Sequence, residues 1–278
     1  MFTLRQYLLA LLDSRGLTRT LGEIDVCRDE QGRPCFSAGN SAAVFRIRLG
    51  GRIRSLRCYL RPMRHLKEIY GQRLLEKELY LHTSPETGVW VDTVLGDWIE
   101  GSTLHETVAQ AAALRDRESL QILVRLFDRL ALALVTDNRA HGDLKPENII
   151  VGDDGTLCPI DFDASYLPAF AGEISPELGT AAYQHPARTA ADFDERIDDY
   201  PSALISTALH ALAEDPTLWD RYGSSDGLLY TPQRIASDPA YRETLALFEK
   251  RGMAVQYRIA QLLTAPTLRL FGLAELLA

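Results

Sequence analysis

The chain has 278 residues, 46% of them hydrophobic and 24% charged, a balance that supports one large or two-lobed soluble domain with a sizeable core. Its formal net charge of −8 repels phosphate backbones and argues against a nonspecific nucleic-acid binder. Four cysteines, Cys27, Cys35, Cys58 and Cys158, show no C-x-x-C spacing and speak against a disulfide framework or a zinc site.

The opening run Phe2 to Leu12 is too short and interrupted to span a bilayer and lacks a small-residue cleavage site. It reads as an amphipathic helix packed on the domain, so the expected compartment is the cytoplasm, with no membrane partner. Ala43 to Leu49 and Arg52 to Tyr59, joined by Gly50-Gly51, predict a tight hairpin, because primed turns need positive φ. Phe45, Ile47 and Leu49 alternate with Arg46 and Arg48, as in a half-buried strand. The arginines between Arg46 and Arg73 form either a phosphate-facing patch or a solvated face.

His65 to Leu81 carries Leu66, Ile69, Tyr70, Leu74 and Leu75 at helical spacing and is expected to be a helix. A short strand is expected over Val89 to Leu95, then a hinge over Asp97 to Gly101. The second half reads as mainly helical. Arg117 to Asn138 has a broad apolar stripe, Ile149–Gly152 and Leu157–Ile160 flank Asp153-Asp154-Gly155 as a second hairpin, and Asp199–Ala213 and the tail from Tyr241 are helical. Strands first and helices later predict an α+β protein of two lobes with a cleft. The N-terminal lobe spans 1–98, with an opening helix, a small antiparallel sheet and a helix, and the C-terminal helical lobe spans 99–278.

The strongest chemical signal is His141-Gly142-Asp143-Leu144-Lys145-Pro146-Glu147-Asn148, followed by Asp161-Phe162-Asp163. One carboxylate that takes or orients a hydroxyl proton, and a second carboxylate with an amide to hold Mg²⁺, must converge, and a hairpin between them returns the chain to one place. This pattern resembles the catalytic loop and metal motif of protein kinases. The resemblance implies ATP and Mg²⁺ as cofactors, Asp143 as catalytic base, Lys145 on the transferred phosphoryl group, and Asn148 and Asp161 as metal ligands.

Ser37-Ala38-Gly39-Asn40-Ser41-Ala42-Ala43-Val44 resembles the phosphate-covering loop, with Ser37, Gly39 and Val44 as nucleotide contacts, joined by Ile150. Arg57 stands where kinases carry a lysine and is expected to hold phosphate oxygens through its fork, with Lys67 or Lys77 as alternatives. Glu76 is its expected helix partner, with Glu68 and Glu78 as fallbacks. Asp163 and His-Gly-Asp are similar to small-molecule, aminoglycoside-type phosphotransferases; Asp163 either assists a metal or caps a turn.

Gly179-Thr180-Ala181-Ala182-Tyr183-Gln184-His185-Pro186 resembles the end of a kinase activation segment. There Thr180 supports the catalytic loop. Asp198 either bonds the loop backbone or is a plain cap. His141 is read as a brace for the catalytic loop, and Trp90, Trp98 and Trp219 as core anchors.

The stretch Tyr166–Trp219, with Arg57-Cys58-Tyr59, resembles bacterial serine/threonine kinase-like proteins of the TerY-associated type. It implies, as partners, a von Willebrand-type TerY protein and a phosphatase, and leaves the substrate open; the segment around Thr180 is what points to a protein substrate. The expected function is a serine/threonine protein kinase, against two rivals: a small-molecule phosphotransferase and an ATP-binding pseudokinase scaffold.

Overall fold

A computed structural model describes residues 1–278 as an α+β protein of two compact units, Met1–Ile99 and Glu100–Ala278. No helix is long and apolar enough to cross a membrane.

The first unit opens with α1 (Leu4–Leu12), whose Thr3 and Gln6 form a capping box that satisfies two otherwise orphaned donors. Five strands follow, β1 (Asp25–Val26), β2 (Phe36–Ala38), β3 (Ala42–Leu49), β4 (Arg52–Tyr59) and, beyond a five-residue helix α2 (Leu66–Tyr70), β5 (Leu74–His82). A sixth, β6 (Gly88–Asp97), completes an antiparallel sheet of order β1-β3-β4-β6-β5, with β2 also on β3. Gly50 and Gly51, at φ 54° and 79°, make the primed turn of the β3–β4 hairpin. Phe45, Ile47, Leu56 and Cys58 are fully buried on one sheet face. There they join Tyr7, Ala10 and Leu11 of α1 in one apolar cluster, and the Tyr7 hydroxyl donates to the Tyr59 carbonyl at 2.6 Å.

The helix expected over His65–Leu81 is replaced by α2, a single 3₁₀ turn at Gly71–Arg73, and the strand β5. The ends of α2 explain the break. His65 enters it at φ 61° with no side-chain cap, and Gly71 leaves it at φ 52°. Beyond Gly71, Leu79 and Leu81 are buried while His82 is exposed, the period of a strand. A register shift between Leu75 and Leu79, with Lys77 at φ 51°, is the bulge that hides this alternation in the sequence.

The second unit holds a three-stranded sheet of β7 (Gly101–Thr103), β8 (Ile149–Gly152) and β9 (Leu157–Pro159). Its helices are α3 (Leu104–Ala113), α4 (Arg117–Thr136), α5 (Asp199–Glu214), α6 (Leu218–Tyr222), α7 (Pro239–Arg251), α8 (Ala254–Leu262) and α9 (Leu273–Leu277). Leu120, Leu123 and Phe127 of α4 pack with Leu204, Ile205 and Leu209 of α5 and with Leu144 and Ile149 in one core. The loop His141–Asn148 is thereby anchored by its own apolar residues. All four cysteines are free. All three tryptophans are half-buried: Trp219 packs against the core of the second unit, as expected of an anchor, and against the His105 ring, whereas Trp90 lies under Arg19 and Trp98 under Arg46.

Candidate active site

In the second unit the segment His141–Asn148 crosses from α4 to β8, and every backbone polar group of its first three residues is bonded. The His141 and Gly142 N–H groups both donate to the Asp198 carboxylate, Gly142 at 3.0 Å. Asp198 therefore acts on the loop and makes no side-chain cap on α5. The His141 carbonyl accepts from Ser165 Oγ at 3.3 Å, and the Gly142 carbonyl accepts from the Arg188 guanidinium at 3.0 Å. The Asp143 N–H donates to His141 Nδ1 at 3.3 Å, and the Asp143 carbonyl accepts from Asn148 Nδ2 at 2.9 Å. Such full accounting is what a buried, rigid loop requires.

His141 Nε2 lies 2.8 Å from the Ile160 carbonyl. A carbonyl has no proton to give, so Nε2 carries it and Nδ1 is the acceptor. Both ring nitrogens are thus committed to holding the loop, in agreement with the bracing role. Burial pushes the Asp198 carboxyl upward, while the two N–H donors and Arg188 pull it down.

The Asp143 carboxylate is the hub. One oxygen accepts from the Thr180 N–H at 2.6 Å; the other accepts from Asn148 Nδ2 at 3.3 Å and lies 3.4 Å from the Lys145 ammonium. Lys145 also donates to Thr180 Oγ at 2.8 Å. Side-chain exposures of 17% for Asp143 and 23% for Lys145 leave the pair partly shielded, which strengthens charge-assisted bonds relative to the open surface. Glycines make the approach possible. A Cβ on Gly179, itself at φ 72°, would stand 2.8 Å from the Gly142 carbonyl and 3.0 Å from Asp143 Oδ1.

Asn148 is buried. Because Nδ2 serves Asp143, the amide oxygen is its remaining acceptor. The Ile160 N–H donates to the Asn148 carbonyl at 2.9 Å, which brings the next residue, Asp161, alongside. Asp161 adopts φ 68°, an uncommon conformation for a residue with a side chain and one that recurs at functional sites. Asp163 is buried. Ile150 shares a row of the small sheet with Thr103 and Cys158, while its neighbour Ile149 enters the core.

In the first unit, Ser37 pairs with Val44, Val44 with Arg57, Arg57 with Val94 and Val94 with Leu74. Ser37, Val44 and Arg57 consequently share one row on one sheet face, since directly opposed residues point the same way. Arg57 is half-buried, with its guanidinium 5.7 Å from the Tyr59 ring centre. Gly39 donates its N–H to the Ala42 carbonyl at 2.9 Å, closing a tight turn over Asn40-Ser41. Glu76 does not lie on a helix: it sits on β5, 62% exposed, 3.4 Å from Lys67. Of the two fallbacks, Glu68 lies on α2, and Glu78 is buried and accepts from the N–H groups of Arg19, Thr20 and Leu21, a structural duty. Gln184 and Arg188 are the residues whose part in this site went unread. The available signal was Gly142 itself, which puts no side chain beside Asp143.

No family model matches the chain. It is 35% identical over 113 residues to serine/threonine-protein kinase PknL of Mycobacterium tuberculosis, covering 38% of this chain and 27% of that protein. It is 28% identical over 171 residues to CBL-interacting protein kinase 17 of Oryza sativa subsp. japonica, covering 59% and 35%. With serine/threonine-protein kinase chk1 of Schizosaccharomyces pombe the figures are 25% over 160 residues, covering 56% and 31%. The matched spans take in about a third of each relative's length. These similarities support a protein-kinase-like superfamily and a kinase-like phosphotransferase class for the chain.

Proposed function

We propose that the chain is an ATP- and Mg²⁺-dependent phosphotransferase acting on serine or threonine hydroxyls of proteins. The observation that carries this reading is the cluster of Asp143, Lys145, Asn148 and Thr180 around one carboxylate. Phosphoryl transfer asks a protein for positioning and charge compensation more than for covalent chemistry. Asp143 is the group to accept or orient the hydroxyl proton, and Lys145 is the cation that compensates charge beside it.

The donor set suits magnesium. No three His, Cys, Asp or Glu side chains converge on one point. One carboxylate and one amide oxygen instead match an ion that keeps phosphate oxygens and water in its shell. Asn148 and Asp161 would hold it, and bound Mg²⁺ would offset the charge of the triphosphate oxygens.

Ser37, Gly39, Val44, Arg57 and Ile150 belong to the reading as nucleotide contacts; Glu76 does not, given its place on an exposed strand. Thr180 favours a protein acceptor over a small molecule, since it ties a protein-kinase-like segment directly to Asp143 and Lys145. The TerY-type and phosphatase partners belong to the same proposal, on the residues of Tyr166–Trp219.

The test is transfer of label from γ-labelled Mg-ATP, with a general protein substrate and with none added. Wild type should label protein. Asp143→Asn and Asp161→Ala should lose transfer by about 10³-fold or more with melting temperatures little changed. Label appearing only on an added aminoglycoside would establish the small-molecule reading instead. If wild type transfers nothing while Mg-ATP still stabilises it, by about 2.7 kcal/mol at 100 Kd, the ATP-binding scaffold reading stands.

A further inference from the structure

The geometry points to Arg188 as the positioning residue of the His141–Asp143 turn, holding the Gly142 carbonyl and thereby the direction of the Asp143 carboxylate. Arg188 is only 9% exposed. One terminal nitrogen donates to both the Gly142 carbonyl, at 3.0 Å, and the Gln184 amide oxygen. Its Nε and second terminal nitrogen are buried without a partner in the chain. A guanidinium so placed is costly unless opposite charges surround it. Burial pulls the Arg188 pKa below the ordinary arginine value, against the opposing pull of the Asp198, Asp143, Asp192 and Asp194 carboxylates.

Two further observations place the residue in the site rather than in the general core. First, Gly142 stands at φ 82°, and a Cβ there would lie 2.0 Å from the Ala164 carbonyl. No side chain is accommodated at 142, and the Gly142 carbonyl is reached instead by Arg188, from the segment after Pro186. Second, the peptide joining Gly142 to Asp143 is gripped from both sides, its carbonyl by Arg188 and its N–H by His141 Nδ1, while the N–H of Gly142 in the peptide before it is held by Asp198. Rotation of that peptide is the motion that would swing Asp143 off Thr180 and Asn148. With both ends held, Asp143 keeps its aim without a ligand present.

The kinetic arm of the test rests on the phosphotransferase reading; a structural arm stands without it. Arg188→Met removes the fork and the charge. Amide exchange followed by mass spectrometry should then quicken about tenfold or more over 141–145 and 179–184, with α4 and α5 unchanged. In the transfer assay kcat should fall about 10²-fold, the order of a small misplacement of a reacting group, with KM for ATP held within about twofold. Arg188→Lys keeps the charge but reaches one acceptor at a time, and should fall between the two.

If Arg188→Met does not fold, Arg188→Lys carries the test. A lowered kcat with faster exchange confined to 141–145 and 179–184 supports the assignment. Exchange like wild type in a folded variant overturns it, as does quickening spread evenly over the second unit or a KM rise at unchanged kcat. Should wild type show no transfer at all, the functional reading fails, and the exchange arm alone decides the role of Arg188.

Discussion

Replacing Asp199 with asparagine should change how stability varies with pH. Asp199 begins α5, is 3% exposed, and accepts from the Leu270 N–H at 3.1 Å through one oxygen. Its other oxygen is buried without a partner. Burial pushes its pKa up to about 6, against the opposing pull of the Leu270 N–H, Arg196 and Arg269; neighbouring Asp198 adds to the rise. Between the unfolded value near 3.8 and the folded value near 6 the folded state binds more protons than the unfolded one. Stability must therefore fall as pH rises through that window. About two pKa units correspond to about 3 kcal/mol.

Asp199→Asn removes this titration. The stability difference between variant and wild type should thus move by up to about 3 kcal/mol in the variant's favour from pH 4 to pH 7.5. For a unit of this size that is roughly 6–12 °C in the relative melting temperature. Melting curves of both proteins across that range read it directly, and any constant cost of placing an amide there cancels from the slope. A difference that does not change with pH, or that grows toward acid, would refute the argument.

Gly142→Ala meets the Ala164 carbonyl at 2.0 Å in a left-handed conformation. It should cost at least about 3 kcal/mol, read by denaturant unfolding of the second unit. Thr180→Val keeps the N–H on Asp143 and removes the acceptor for Lys145; it should cost about 1 kcal/mol of stability while lowering phosphoryl transfer about tenfold or more in steady-state assays.

The two hairpins, the long helix α4 and α5 were readable because each is locally consistent. Gly50-Gly51 can form only a primed turn between alternating strands, and α4 carries a wide apolar stripe. The loop His141–Asn148 stood out because the chemistry proposed for it needs fixed residue types at fixed spacing. β5 was not. Leu74-Leu75-Glu76-Lys77-Glu78-Leu79 is made of good helix formers, and the bulge at Lys77 breaks the alternation that would have betrayed a strand; pairing with β6 overrode local preference. Glu76 was misread for the same reason, since its role presupposed that helix. The part of Arg188 was hidden because it depends on a contact 46 residues away in the chain.

The seat of α1 has a practical side. A fragment cut to begin at the first motif a kinase comparison would flag, near Phe36, would shed Tyr7, Ala10 and Leu11 together with Ile24 and Val26. Phe45, Ile47 and Leu56 would then face water, as a greasy panel of the kind that drives proteins out of solution. The opening two dozen residues thus serve as a built-in cover plate, and boundaries for expression belong ahead of Thr3.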